Sequence, residues 1–161
     1  MAMRLILPIL MLSIAATAQQ LPQRSLIDLH GNKVEPQELS MGHVLLLVAS
    51  TECGYCLRDV KFLNLLAERY SDRVRFVVLL DSSKKDIELS RKMFASRFEF
   101  YNEHWTVIPS AQKHVRRLWK ERIWPQYFFF VDGQFKRHYI YSCEETYQQL
   151  KDYLSSVPCG H

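Results

Sequence analysis

The 161-residue sequence contains little glycine and proline, with 5 and 6 residues respectively, and has no internal repeat. These absences exclude collagen, low-complexity disorder and repeat architectures such as solenoids and propellers. The excess of positive charge is also small, because 21 basic residues stand against 17 acidic ones. A net charge of +4 scattered along the chain does not predict binding to nucleic acid. A content of 48% hydrophobic and 24% charged residues is instead typical of one globular domain.

The longest apolar run, from Leu5 to Ala16, lies near the amino terminus. It is too short to span a bilayer, which takes about 20 apolar residues. The following Ala16-Thr17-Ala18 provides the small residues that signal peptidase requires. We therefore expect residues 1–18 to be a signal peptide and residues 19–161 to form a single domain without a membrane span. Export to the periplasm, or secretion, would allow disulfides to form and persist.

Hydrophobic periodicity in the first half of the domain predicts a strand, a helix and a second strand. Val44 to Ser50 is continuously apolar, as in a strand covered on both faces. From Cys56 to Tyr70 the apolar residues recur every three or four positions, which predicts a helix, and Val74 to Leu80 is a second buried strand. This order within a short span implies a parallel strand pair with a right-handed crossover, and hence an α/β fold.

Turn-forming residues predict two hairpins, one at each end of the domain. The first surrounds a Gly-Asn turn between Leu26 and Val34, and the second, at Asp132-Gly133, lies between two aromatic runs. The other expected elements, in chain order, are a turn at 36–39, a helix at 86–94, a short strand at 98–101, a helix from Ser110 to about Lys120, strands at 127–131 and 135–141, and a helix at 144–155.

Two cysteines, Cys53 and Cys56, lie where the apolar strand gives way to the helix. A thiol at a helix N-terminus meets unsatisfied backbone N–H groups and the positive end of the dipole, which favour the nucleophilic thiolate. The spacing lets the second sulfur reach the first on the opening turn, so that it can resolve a mixed disulfide. We therefore predict that Cys53 is the attacking nucleophile and Cys56 the resolving thiol.

Other interpretations of this pair have weaker support. A zinc site needs four ligands, usually with a second paired set, and the sequence has no second CxxC or HxxxH pair. A purely structural disulfide of this spacing closes too small a loop to stabilise the fold much. We accordingly predict no metal and no cofactor.

With Glu52-Cys53-Gly54-Tyr55-Cys56 between strand and helix, and Trp124-Pro125 directly before a strand, the chain resembles the thioredoxin-like thiol-disulfide oxidoreductases of the TlpA/ResA type. The resemblance implies a central mixed sheet flanked by helices, an N-terminal hairpin and an insertion, between Asp81 and Ser110, before the third sheet-flanking helix. It also implies a cis-proline, matched by Pro125, that packs against the disulfide. Protein substrates with thiols or disulfides and an upstream redox partner are the implied partners.

The sequence departs from the pattern of this family at three places. Glu52 replaces a common tryptophan and adds negative charge beside the nucleophile, which opposes thiolate formation. Trp124 stands where the family commonly has a small or β-branched residue, and would either cover the disulfide or offer substrate a stacking surface. The buried acid of minimal thioredoxins is missing from the central strand, and its expected substitute is Asp59, one helical turn after Cys56, where such proteins often carry a proton-exchanging acid.

The residues leave the role of Asp59 open, because a solvated first-turn carboxylate favoured by the helix dipole is the alternative. Gly54 and Tyr55 are expected, with Trp124 and Pro125, to contact substrate. The Gly-Tyr pair also occurs in some periplasmic disulfide isomerases, so the direction of electron transfer stays open.

Cys143 and Cys159 flank the last predicted helix and are candidates for a structural disulfide, with free or intermolecular thiols or a second redox pair as alternatives. A thioredoxin-like copper chaperone is the second functional hypothesis, since Cu(I) favours thiolates; it requires His104 or His138 to approach Cys53. A peroxiredoxin-like peroxidase has the least support, because the expected Pro and Thr before the reactive cysteine are missing.

Overall fold

The structure is a computed structural model that describes residues 21–82, 85, 88, 101–109, 111, 113, 115, 123–140 and 143–158. The predicted signal peptide and most of the two helices predicted at 86–94 and from Ser110 to Lys120 lie outside these residues. Within the described part of the chain, none of the helices combines the length and the apolarity needed to cross a membrane.

A five-stranded mixed sheet forms the centre of the fold, in the order β5-β4-β3-β6-β7. The predicted parallel pair of β3 and β4 is confirmed, and β6 pairs antiparallel with β3 on its other side. Thus the class expected from the sequence, α/β with a central mixed sheet, is confirmed. The strands of this sheet are β3 (His43–Ala49), β4 (Val74–Leu80), β5 (Trp105–Ile108), β6 (Gln126–Val131) and β7 (Gln134–Ile140).

The central strand β3 is buried on both faces, as its continuous apolar run predicted. Leu45 and Leu47 belong to the core on one face of the sheet, and Leu46 belongs to the core on the other. None of these three side chains is measurably exposed. The full burial of successive residues explains why the strand carries no polar alternation.

Helices α1 (Pro36–Ser40), α2 (Gly54–Tyr70) and α3 (Glu144–Ser156) are resolved in the described residues. The segment at 36–39, expected to be a turn, is instead part of α1. Pro36 begins this helix, and Glu35 and Glu38 form a reciprocal capping box across its first turn. The cap and the proline stabilise a helix that is too short for its periodicity to be recognised.

Both predicted hairpins are confirmed. At the amino end, β1 (Leu26–Ile27) pairs antiparallel with β2 (Lys33–Val34) as a separate two-stranded sheet. At the other end, Asp132 and Gly133 connect β6 to β7 with φ angles of 49° and 74°. Positive φ at both positions is what a two-residue hairpin turn requires, and Asp-Gly adopts it readily.

The edge strand β5 was not predicted. A short strand was expected at 98–101, but Tyr101 is not in a strand, and residues 98–100 lie outside the described residues. The strand that pairs with β4 follows a few residues later, where Trp105 packs its ring edge-on against Phe76, with 5.1 Å between centroids.

Candidate redox site

The two cysteines of the motif are joined in a disulfide at the start of α2, with 5.2 Å between their Cα atoms. Cys53 is the N-cap residue, and its sulfur accepts a hydrogen bond of 3.1 Å from the backbone N–H of Cys56. Cys53 is half-buried, whereas Cys56 is only 2% exposed. The pair thus has one sulfur within reach of a partner molecule and one inside the protein, as an attacking and a resolving thiol would require.

Pro125 directly precedes β6, the strand that pairs with β3. The peptide bond between Trp124 and Pro125 is cis, as the resemblance implied, and Pro125 is buried. Since Gln126 pairs with Val48 in the antiparallel register, Pro125 is located at the carboxyl end of β3, from which the chain leads to Cys53. The half-buried Trp124 packs against both hydrophobic cores, and Cys53 packs against one of these same cores.

Asp59 is buried, with 2% of the residue exposed. It lies one turn beyond Cys56 on the inward face of α2, where side chains three residues apart are neighbours. The alternative of a solvated first-turn carboxylate is therefore wrong. A buried carboxylate needs hydrogen-bond donors to replace the water it has lost.

These donors are residues that the sequence did not single out for the site. The hydroxyl of Tyr147 in α3 makes a short hydrogen bond to Asp59 Oδ1, and the hydroxyl of Tyr127 in β6 lies 3.5 Å from Oδ2. Arg58 Nε donates to Oδ1 at 3.2 Å. Burial, together with the negative charge of Asp59, raises the pKa of Tyr101 above its usual value. The sequence feature that could have indicated these donors is the presence of tyrosines at apolar positions, since buried tyrosines usually have a hydrogen-bond partner for the hydroxyl.

The outer rim of the site consists of Glu52, Gly54 and Tyr55, all of them exposed. Tyr55 is 62% exposed, and the guanidinium carbon of Arg58 lies 5.1 Å from the centre of its ring. An exposed aromatic ring beside a reachable sulfur is suited to contact a substrate. The predicted contact of Gly54 and Tyr55 with substrate stays a prediction.

Comparison with known proteins finds thiol-disulfide oxidoreductases among the proteins similar to this chain. The thiol-disulfide oxidoreductase ResA of Bacillus thuringiensis (strain Al Hakam) is 24% identical over 143 residues, which cover 86% of this chain and 77% of that protein. The Chlorobium tepidum structure described as a putative thiol:disulfide interchange protein DsbE superposes with a TM-score of 0.69 at 16% identity, covering 86% of this chain and 95% of that one. No protein-family model matches the chain. The chain has the thioredoxin-like fold.

A further thioredoxin-like structure extends this comparison. The secreted disulfide oxidoreductase of Mycobacterium tuberculosis has a TM-score of 0.62 and 17% identity, over 84% of this chain and 96% of its own. The predicted resemblance to ResA-type thiol-disulfide oxidoreductases is confirmed by the curated relative and by the disulfide between Cys53 and Cys56, and the two solved structures confirm the fold.

The copper hypothesis requires His104 or His138 to approach Cys53, but the contacts described for these histidines are with other residues. His104 precedes β5 and contacts Ser71, which caps the far end of α2. His138 stacks on Phe128, with 4.3 Å between ring centroids, on the face of the sheet opposite α2. Among the residues that the structure describes, no three His, Cys, Asp or Glu side chains are grouped as metal ligands would be. Neither histidine therefore supports the copper hypothesis.

Cys143 is a free, exposed thiol at the N-cap of α3. Its sulfur lies 3.2 Å from the hydroxyl of Thr146, and this hydrogen bond is the main cause of a lowered pKa for the thiol. The proposed partner, Cys159, lies outside the described residues. A disulfide between Cys143 and Cys159 thus stays a prediction.

Proposed function

We propose that this protein is an exported thiol-disulfide oxidoreductase that exchanges disulfides with protein substrates through Cys53 and Cys56. The observation that carries the proposal is the asymmetry of the bonded pair. Cys53 is half-buried at a helix N-terminus, and Cys56 is enclosed one helical turn from a buried carboxylate. Attack by the first thiol and resolution by the second require this arrangement.

In the reducing direction, the Cys53 thiolate attacks one sulfur of a substrate disulfide. The substrate S–S bond breaks, the first substrate sulfur leaves and takes up a proton, and a mixed disulfide forms. Cys56 then gives its proton to Asp59, attacks Cys53 and releases the second substrate thiol, which receives that proton. Two electrons pass to the substrate while the Cys53–Cys56 disulfide forms, and the oxidising direction reverses each step.

Repeated reduction requires a dithiol donor to return the pair to its open form. We assign this task to an upstream redox partner, which would reach the disulfide by the same exposed route. We assign the substrate face to Gly54 and Tyr55, at the start of α2, and to Trp124 and Pro125, directly before β6. In support, Trp124 and Cys53 pack against the same hydrophobic core.

The proposed export depends on residues 1–18, whose apolar run and small-residue cleavage site predict a signal peptide. The Mycobacterium tuberculosis protein of similar fold is described as secreted, which supports this location. The periplasm, or the cell exterior, is where a disulfide-exchanging protein meets substrates that retain disulfides.

Insulin reduction, with dithiothreitol as the electron source, tests the proposal. Wild type should accelerate the reaction, and Cys53→Ser should reduce the rate to that of dithiothreitol alone. Cys143→Ser is the matched control, because it also replaces one N-cap thiol by a hydroxyl, and it should retain the wild-type rate. Equal rates for wild type and Cys53→Ser would remove the proposed function.

A further inference from the structure

The carboxylate of Asp59 is held by residues from three separate elements. Arg58 belongs to the same helix, Tyr127 comes from β6 and Tyr147 comes from α3. All three donate hydrogen bonds to it, so Asp59 serves as an acceptor. Its side chain is 1% exposed. Protein hydroxyls and a guanidinium therefore take the place of water around a group that must exchange a proton with Cys56.

Tyr147 makes the closest of these contacts. Tyr127 lies at the outer limit of hydrogen bonding, at 3.5 Å, and the side chain of Arg58 is 57% exposed to solvent. The ring of Tyr147 is itself held by Phe62, a residue of α2, with 4.6 Å between ring centroids. The hydroxyl of Tyr147 is thus fixed relative to the helix that carries both Asp59 and Cys56.

The direction of the hydrogen bonds supports the same role. An Arg58 guanidinium nitrogen lies 3.5 Å from the Tyr147 hydroxyl oxygen and donates to it. Since the tyrosine oxygen accepts from Arg58, its own proton is directed to Asp59 Oδ1. Among the residues that the structure describes, Tyr127 from β6 and Tyr101 from the segment before β5 are further titratable groups that interact with Asp59.

We propose that Tyr147 is a positioning residue, whose hydroxyl fixes the Asp59 carboxylate so that it takes the proton of Cys56 in the resolving step. This inference rests on the proposed function and deepens it. It makes the second half of the exchange depend on the docking of α3, an element that contributes no sulfur to the reaction. The first half, the attack by Cys53, does not require Tyr147.

The two halves can be separated with 5,5′-dithiobis(2-nitrobenzoate) and protein in which Cys143 and Cys159 are replaced by serine. The reduced pair releases a first thionitrobenzoate when Cys53 attacks and a second when Cys56 resolves the adduct. Tyr147→Phe should leave the first release unchanged and slow the second about tenfold, a part of the roughly 10²- to 10⁴-fold that acid–base groups contribute.

Tyr153→Phe is the matched control, because it removes another half-buried hydroxyl from the same helix and should alter neither release. In an Asp59→Asn background, Tyr147→Phe should have no further effect, since the tyrosine acts through the carboxylate. The proposal would be overturned if Tyr147→Phe slowed both releases equally or left the second release at the wild-type rate. It would also be overturned if Tyr147→Phe slowed the second release by the same factor whether Asp59 is retained or replaced.

If Tyr147→Phe does not fold, Phe62→Leu replaces it in the test. This variant withdraws the ring that holds Tyr147 and should slow the second release alone, by a smaller factor. The measurement needs no protein substrate. A protein that fails to reduce insulin but shows the Tyr147 effect would therefore refute the proposed function and leave the positioning role intact.

Discussion

The protein contains two cysteines in the same local setting, Cys53 at the N-cap of α2 and Cys143 at the N-cap of α3. Both have extended backbone conformations, and both sulfurs hydrogen-bond to the residue three positions later, namely Cys56 or Thr146. The local resemblance ends there. Cys53 is half-buried and bonded to a second sulfur, whereas Cys143 is exposed and free.

The comparison separates what makes a thiol acidic from what makes it part of a redox site. Hydrogen bonds at the start of α3 lower the pKa of Cys143, chiefly the one from the Thr146 side chain. Hydrogen bonds within the first turn of a helix are thus sufficient to favour a thiolate. They do not provide a resolving thiol or a proton acceptor, which at Cys53 are Cys56 and Asp59.

Cys56→Ser should convert Cys53 into a lone N-cap thiol and produce the largest effect. We expect the part of the insulin reduction rate that exceeds dithiothreitol alone to fall at least about 1000-fold, because an intramolecular thiol has a very large effective concentration. The first attack still occurs, so a mixed disulfide between Cys53 and insulin should accumulate on non-reducing gels when the reduced variant is mixed with insulin after dithiothreitol has been removed. Cys143→Ser in the same background should leave that adduct in place, and adducts formed chiefly through Cys143 would contradict the comparison.

Leu150→Ala should weaken the docking of α3 and leave the local environment of Cys143 unchanged. Leu150 is fully buried in the core shared with α2, and such truncations cost about 2–5 kcal/mol. Urea denaturation should show this loss of stability. In the folded variant, labelling of Cys143 should keep its pH dependence, because the Thr146 hydrogen bond is local to the first turn of α3.

An exposed position of the same helix supplies the control for this variant. Gln148→Ala should change stability by no more than about 0.5 kcal/mol, as is usual for a surface site. A Leu150→Ala protein as stable as Gln148→Ala would show that α3 is not anchored through its apolar stripe.

The elements around both thiols follow from local patterns in the sequence. The strand β4 matches its expected range of Val74 to Leu80, and α3 begins at the expected Glu144 and ends one residue later than expected. These segments carry strong periodicity, which is a local property. Strand β5 carries none over its four residues, because its place is set by pairing with β4.

The partners of Asp59 could not be predicted for a related reason. Tyr127 and Tyr147 are 68 and 88 residues away in the chain, and each occupies an apolar position in its own element. Nothing in the local pattern distinguishes a tyrosine that contacts a carboxylate from one that only fills the core. The motif from Cys53 to Cys56 was predictable because its chemistry is contained in four adjacent residues.

Thr146→Val should produce the smallest effect, confined to Cys143. The substitution keeps the shape of a side chain that is 5% exposed but removes the hydroxyl, so the pKa of Cys143 should rise toward its ordinary value. At a pH below that value the thiolate fraction falls, and iodoacetamide labelling of Cys143 should slow about twofold to tenfold, the effect of one hydrogen bond. The difference in labelling rate should vanish at high pH, where the Cys143 thiol is fully ionised in both proteins.

Thr146→Ser retains the hydroxyl and should label like wild type, while insulin reduction should be unchanged in both variants. A Thr146→Val protein whose Cys143 labels as fast as wild type at every pH would mean that the helix N-terminus alone favours this thiolate. Slower insulin reduction by Thr146→Val would instead mean that a change in the first turn of α3 affects Asp59 through Tyr147, the next residue along the chain. The two N-cap thiols would then not be independent.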